Sequence, residues 1–463
     1  MGKQFQTDWF QGKKIVVLGL ARSGLAVSKL LLRFGAKVTV NDQKAEQELA
    51  GVDELKQLGI AVITGGHPED LIDVNVDLVV KNPGIPYTSL PIQQAQQLGI
   101  PVVTEIELAY AWSKAPLVAI TGSNGKTTTT TLVGEILQAA NKRPIVAGNI
   151  GTVLCEQAVA AETDNILVAE LSSFQLKGTI HFRPRIACLL NVTPAHLDYH
   201  GSWEDYLQSK AKVFANLGPS DFAVLNADSK ECIEIAKRIT CEIVWFSKTQ
   251  AMSLGAYVKE EVVYFQDQSG RAQSVIATGE VAMPGAHNLE NALAAVAICG
   301  LLGASSESMR QTLATFQGVE HRLEFVTEIS GIKFYNNSKA TNSEATVKAL
   351  EAFREPIVLI AGGLDRGVDF MELVPFIKQN VKAIVSYGQT KQHFVTVGKK
   401  AGLSQLSVVD NVGDAVAEAN RFAVSGDVVL LSPSCASWDM YGSFEERGSI
   451  FKNSVHKLKT SLH

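Results

Sequence analysis

Short apolar runs rich in β-branched residues recur along this chain, each giving way to small, turn-prone residues and then an amphipathic stretch. Residues 14–20 read as a buried strand and 24–34 as the helix after it, with further strands at 37–41 and 78–81. The alternation returns with strands at 117–120, 166–169 and 186–190 and helices opening at Thr128 and spanning 203–216. An Ala-rich helix follows the break at Pro284-Gly285, and strands at 333–336, 357–361, 383–386 and 428–431 form a third set. Apolar strands alternating with helices predict an α/β fold of parallel sheets built from βαβ units. A length of 463 residues suggests about three domains. We divide the chain into 1–112, 113–318 and 319–463, the last boundary lying at the Gln317-Gly318 break.

The sharpest chemical signal lies between the strand 117–120 and the helix from Thr128. Gly122, Ser123, Asn124 and Gly125 let the backbone curl tightly, and Lys126 and Thr127 follow. Strand, glycine turn and helix start form a phosphate cradle, with Lys126 supplying charge and the Thr127 hydroxyl able to ligate Mg²⁺. The common P-loop has a glycine where this chain has Ile120. The first turn keeps Gly19 and Gly24 of a dinucleotide fingerprint but has Ala21 in place of the middle glycine. Asp42 stands about 20 residues on, where a ribose-binding carboxylate would lie. The turn therefore reads as a nucleotide site altered away from NAD, or as a tight turn without a ligand. Asn82-Pro83-Gly84 is another turn at the sheet's C-terminal edge, where α/β ligands bind.

Several polar segments follow apolar strands. Glu170 ends one, just before Ser172, and is placed for a metal or water contact beside the phosphate loop. His196 and His200 suit either structural or ligating roles, and no cysteine or further histidine lies near to complete a zinc site. Tyr206 and Lys210 share a helix face, though nothing in the pattern singles out Lys210. Asn288 and Asn291 also share a face and would read an adenine edge or cap the helix. In the last third, loops holding 336–342, 362–366 and 432–439 suggest a ligand face, or unremarkable connections.

Composition narrows the class. At 46% hydrophobic and 19% charged residues the chain is a globular protein, not a disordered one. A net charge of −5 gives no basic footprint for nucleic acid. Six scattered cysteines without paired spacing read as reduced core residues of a cytosolic protein. The N-terminus lacks a signal-peptide core, and no apolar run approaches the ~18 residues of a membrane span. A soluble, cytoplasmic protein is expected. A GTPase would want NKxD, and the nearest stretch is Asn226-Ala227-Asp228-Ser229.

Taken in order, TGSNGKTT, GNIG, ELSSFQL, NVTPAHLD, the helix with Lys210, GAHNLENALAA, HR, NSKATN, GGLDRG and SPSCASWDMYGSFEERG resemble the Mur ligase family. These are ATP-dependent amide ligases of peptidoglycan precursor synthesis. The family's TGxNGKTT accounts for the missing glycine. That motif is shared by a superfamily that includes folylpolyglutamate synthase, while SSFQL, SKATN and the last motif resemble the D-glutamate-adding branch. The resemblance implies a Rossmann-like N-terminal domain, a central P-loop ATPase-like domain with a mainly parallel sheet, and a Rossmann-like C-terminal domain. It implies UDP-MurNAc-L-alanine and D-glutamate as small-molecule substrates, ATP and two Mg²⁺ sites; a monomer with no nucleic-acid partner and no membrane span is expected.

Residue by residue, the resemblance assigns Gly122, Ser123, Asn124, Gly125, Lys126, Thr127 and Thr128 to ATP, with Asn149 beside the phosphates. Thr127, Glu170 and His196 go to metal, and Lys210, as a carbamate, to a second Mg²⁺. Lys126, His196 and Lys210 are the implied catalytic groups. Asn288 and Asn291 match adenine contacts. Arg322 and Asn337 match nucleotide positions, and Lys339, Thr341, Ser437 and Phe444 match D-glutamate positions. Arg22, Ser23 and Asp42, with Asn82, Gly84 and Ser172, match the uridine-nucleotide substrate. The chain departs from the family's NDSKATN in having Asn337 for Asp, and Arg366 stands where a lysine occurs.

Overall fold

The computed structural model of the chain describes residues 5–461; residues 1–4 of the polar N-terminal stretch and the side chain of Asp198 lie outside the described set. Three sheets organise it. The first comprises β1 (Lys14–Leu18), β2 (Lys37–Asp42), β3 (Ala61–Thr64), β4 (Leu78–Lys81) and β5 (Val102–Val103) in the order β3-β2-β1-β4-β5. All its pairings are parallel. This is the half-Rossmann arrangement that the alternation predicts, and helices on both faces explain why β1 beyond Lys14, and all of β4, are buried.

The second sheet has nine strands: β6 (Leu117–Thr121), β7 (Arg143–Gly148), β8 (Asn165–Glu170), β9 (Ile186–Leu189), β10 (Phe222–Asn226), β11 (Glu242–Ser247), β12 (Gly255–Lys259), β13 (Val262–Gln266) and β14 (Ala272–Ala277). Their order is β14-β13-β12-β11-β10-β9-β6-β8-β7. β6 to β12 pair in parallel, and β12-β13-β14 form an antiparallel meander at one edge. The strand carrying the phosphate loop, β6, lies between β8 and β9, so both of their C-terminal ends flank that loop. The helix expected over 203–216 ends at Ala211 and tightens into a 3₁₀ turn, Lys212–Phe214.

The third sheet has β15 (Glu324–Ile329), β16 (Ile332–Asn336), β17 (Ile357–Gly362), β18 (Val381–Tyr387), β19 (Gln405–Val408) and β20 (Val428–Leu431). Its order is β15-β16-β20-β17-β18-β19, parallel except for β15. β16, β20 and β17 are neighbours, so the three polar loops singled out above follow adjacent strands.

The chain forms two compact units. One runs to Val281 and includes Glu290–Ala314; the other comprises Ala282–Leu289 and Thr315 onward. The first unit holds two sheets because they share one apolar core. The helix Glu105–Trp112 is buried on nearly every side, and Trp112 packs edge-on against Phe10 and Phe34 while its indole N–H donates to the Phe5 carbonyl at 3.1 Å. Burial all round a helix marks an element inside a core rather than one on its surface. Among the described residues, no helix is long and apolar enough to cross a membrane.

Candidate active site

The phosphate loop leaves β6 and enters the helix Lys126–Ala139, which begins two residues before the expected Thr128. Thr127 and Thr128 therefore sit buried in its first turn, where unpaired N–H groups and the helix dipole favour an anion. Gly125 has φ 81°, and a Cβ there would fall 2.1 Å from Asn291 Oδ1, so only glycine fits. The loop is fastened to the segment after β9. Asn124 N donates to Asn191 Oδ1 at 2.9 Å, and Ser123 Oγ donates to the Thr193 carbonyl and accepts from Thr193 N, both at 2.9 Å. The Tyr206 hydroxyl lies 2.8 Å from Ser123 Oγ. Asn291 also accepts from Thr129 Oγ1 at 3.4 Å, which ties it to the same helix.

Glu170 ends β8 and is 2% exposed. Its Oε1 accepts from Asn149 Nδ2 at 2.9 Å, while Oε2 is buried without a hydrogen-bond partner. An unsatisfied buried carboxylate oxygen is unfavourable in itself and suits a cation. Among the described residues no cluster of three His, Cys, Asp or Glu side chains is arranged to hold a metal. Mg²⁺ at a phosphate site needs less, because one or two carboxylates, a hydroxyl and phosphate oxygens complete its shell. Glu170 and Thr127 fit that requirement.

Two lysines converge on one acceptor. Lys126 Nζ donates to the Gly122 and Ser123 carbonyls at 2.9 and 3.0 Å, and Lys210 Nζ donates to the same Gly122 carbonyl at 2.8 Å. Lys210 is buried, with Nζ 4.8 Å from the Tyr206 ring centre. Burial first, and the Lys126 charge second, hold its ammonium well below the ordinary lysine range. A lone helical lysine that the sequence could not distinguish from a solvated charge is thus a desolvated amine. His196 sits in a left-handed turn, φ 54°, with its ring 5.1 Å from Phe174.

A cavity of about 600 Å³ joins Lys126 and His196 to the first sheet. Arg22, Ser23, Asn82 and Gly84 line one side; Lys126, Asn149, Ser172 and His196 line it from the second sheet. Arg22 opens the helix Arg22–Arg33 and reaches across to the Gly151 carbonyl at 3.0 Å, fastening the first turn to the Gly148–Gly151 segment. Ser172 caps the helix Ser173–Lys177 by accepting from Gln175 N. Asp42 is not among the lining residues. Its two oxygens accept from the backbone N–H groups of Leu20 (2.7 Å) and Lys44 (2.9 Å), so here the carboxylate buttresses the turn. Sequence reasoning missed Glu105, which lines the cavity and accepts from Cys155 N at 2.7 Å. Burial raises its carboxyl to about 7. All six cysteines are buried and unpaired.

In the second unit, Lys339 Nζ lies 5.3 Å from the Phe444 ring centre, and the Arg366 guanidinium lies 5.1 Å from that of Trp438. Ser437 is buried with its hydroxyl unpartnered. Asn337 uses both ends of its amide, accepting from Leu323 N at 3.1 Å and donating to Ser432 Oγ at 3.1 Å. That pairing suits the amide this chain carries. Asn288 Nδ2 donates to the Pro284 carbonyl at 2.7 Å, a capping contact at the start of its helix. Thr341 and Arg322 are half-buried in the loops around β16.

Comparison with known proteins covers nearly all of this. The family described as Mur ligase MurD-like, N-terminal domain, matches residues 13–104; Mur ligase middle domain matches 120–299; and Mur ligase, glutamate ligase domain, matches 321–435. The UDP-N-acetylmuramoylalanine–D-glutamate ligase of Geobacillus sp. (strain WCH70) is 52% identical over 455 residues, covering 98% of this chain and 100% of that protein. The ligase of the same name from Bacillus cereus (strain ATCC 10987 / NRS 248) is 50% identical over 449 residues, covering 97% and 98%. Among solved structures, UDP-N-acetylmuramate-alanine ligase MurC from Thermotoga maritima aligns with a TM-score of 0.57 at 19% identity, covering 97% of this chain and 99% of that one. MurF from Acinetobacter baumannii aligns with a TM-score of 0.59 at 17% identity, covering 90% and 91%. At those identities the two structures share the fold.

Proposed function

The chain belongs to the Mur ligase family, and from that premise we propose that it joins D-glutamate to UDP-N-acetylmuramoyl-L-alanine at the expense of ATP, in the cytoplasm. The observation that carries this reading is the single cavity lined both by the Arg22 and Asn82 turns and by Lys126, Ser172 and His196. A long substrate with a nucleotide at one end and a reactive carboxylate at the other suits such a cavity.

The substrate carboxylate attacks the γ-phosphorus of ATP, ADP leaves, and an acyl phosphate forms. The amine of D-glutamate then attacks that carbonyl, sheds a proton, and phosphate leaves. Carboxylate and γ-phosphate are both anions, so the barrier is lowered chiefly by neutralisation and positioning. Lys126 supplies a fixed positive charge beside the loop, and the first-turn N–H groups of the helix Lys126–Ala139 face the phosphates. Thr127, Glu170 and His196 are the residues we assign to Mg²⁺, which supplies Lewis-acid charge neutralisation when bound. Burial lowers the Lys210 ammonium well below the ordinary lysine range, which favours the free amine that adds CO₂, and the resulting carbamate would hold a second Mg²⁺. Lys339, Ser437 and Phe444 are the residues we assign to D-glutamate. Arg22, Ser23, Asn82 and Gly84 are those we assign to the nucleotide substrate.

Incubation with UDP-MurNAc-L-alanine, ATP, Mg²⁺ and D-glutamate, followed by mass spectrometry, tests the reading. A nucleotide product heavier by one glutamyl residue is expected, with one ADP per product. ADP formation with no change in nucleotide mass would contradict it.

A further inference from the structure

Behind the cavity wall lies a buried polar network that the reaction above does not use. Lys81 ends β4 with 1% of its surface exposed. Its Nζ donates to the Pro83 carbonyl at 3.0 Å and to the Tyr199 hydroxyl at 3.2 Å, and that hydroxyl donates to the same Pro83 carbonyl at 2.9 Å. Pro83 belongs to the Asn82-Pro83-Gly84 turn, which lines the cavity from the first sheet. Tyr199 lies in the helical turn Leu197–His200, directly after His196, which lines the cavity from the second. The three groups therefore form a closed triangle that fastens one wall to the other.

The charges around this triangle are few and defined. Lys81 Nζ lies 4.8 Å from the Tyr87 ring centre, and Lys177 Nζ lies 5.3 Å from the same ring. Lys177 Nζ donates to both oxygens of Asp205, at 2.8 and 2.7 Å. Asp205 also meets His200 Nδ1 at 2.7 Å, and His200 Nε2 meets Ser173 Oγ at 3.0 Å. Among the described residues Lys81 has no carboxylate within ion-pair distance. It is a desolvated cation held by a carbonyl, a hydroxyl and aromatic faces.

We propose that Lys81 and Tyr199 are positioning residues for the nucleotide substrate, fixing the Asn82-Pro83-Gly84 turn against the Leu197–His200 turn and holding a positive charge behind the wall that the anionic substrate occupies. The inference rests on the substrate reading given above. Burial, and then repulsion from Lys177, bring the Lys81 ammonium down to about 7. An anion bound in the cavity favours the protonated form, so substrate binding and proton uptake are linked. Burial holds His200 below the ordinary histidine range and pushes Tyr87 and Tyr199 upward, so each of these shifts disfavours the charged form.

The test is calorimetric binding of UDP-MurNAc-L-alanine at pH 6.5 and 8.5, in two buffers of different ionisation enthalpy, beside steady-state kinetics. The wild-type chain should bind about tenfold more weakly at pH 8.5, taking up a proton there. Lys81→Met should lose that pH dependence and the proton uptake. Tyr199→Phe, which keeps the ring and the fold, should raise KM for the nucleotide about five- to tenfold, with kcat and the KM for ATP within about twofold. Variants matching wild type in KM, pH dependence and proton uptake overturn this inference alone. Absence of any binding by the wild-type chain overturns the substrate reading, and this inference with it.

Discussion

Lys126 and Lys210 donate to one and the same carbonyl, that of Gly122, at 2.9 and 2.8 Å. Two full positive charges on one acceptor repel in a buried site, and burial together with the Lys126 charge lowers the Lys210 ammonium well below the ordinary lysine range. Replacing either lysine should lower the rate, and only the loss at Lys210 should be open to rescue. Lys126→Ala removes the fixed charge and should lower phosphate release about 10²- to 10³-fold. Lys210→Ala should fall comparably, and short carboxylic acids such as acetate should restore part of the rate by standing in for a carbamate. Phosphate release with and without added carboxylate checks both, and full activity of Lys210→Ala would sink the carbamate assignment.

Asn149 holds Glu170 Oε1 and leaves Oε2 free to meet a cation. Asn149→Ala should raise the Mg²⁺ concentration needed for half-maximal rate by about 10- to 100-fold, whereas Glu170→Gln should abolish turnover at any Mg²⁺ concentration. A Mg²⁺ titration of each variant decides. An unchanged midpoint in Asn149→Ala would detach that residue from the metal site.

Glu105 carries a pH prediction. Its carboxyl stands at about 7 in the folded chain against 4.5 unperturbed, because of burial. The folded state therefore binds an extra proton between those values, and this group's contribution to stability declines as pH rises through that window. Glu105→Gln keeps an acceptor for Cys155 N without the titration. Its stability should fall less between pH 5 and pH 8 than that of the wild type, by about 3 kcal/mol at most. Parallel denaturation curves at the two pH values measure this, and identical falls would contradict it.

Gly125→Ala would place a methyl 2.1 Å from Asn291 Oδ1 on a backbone at φ 81°. Strain of about 1–3 kcal/mol is expected at the loop, together with a raised KM for ATP. Calorimetric ATP binding to this variant at wild-type strength would show that the loop adapts freely.

Much of this was readable in the chain because it is local. The phosphate loop is fully contained between a strand and a helix start, and the strands at 78–81 and 428–431 fall where their apolar runs put them. The three C-terminal loops were visible as strand ends, but that β16, β20 and β17 are neighbours depends on sheet order, which no local pattern carries. Burial of single charges was equally hidden. Lys81, Glu105 and Lys210 each look like an ordinary surface charge until long-range packing encloses them. Asp42 stands at the expected distance, and what no local pattern carries is that its oxygens accept the Leu20 and Lys44 N–H groups. The meander β12-β13-β14 was hidden because polar residues break up its strands, as in Ala272–Ala277, so they lack the long apolar runs that mark the parallel ones.

The most direct test of the central claim is phosphate release from ATP with UDP-MurNAc-L-alanine and Mg²⁺, measured separately with D-glutamate, L-glutamate, L-lysine and meso-diaminopimelate. The account predicts release that depends on D-glutamate, with the other three at background. Release driven by another amino acid of the panel, or equal release with none, would contradict it.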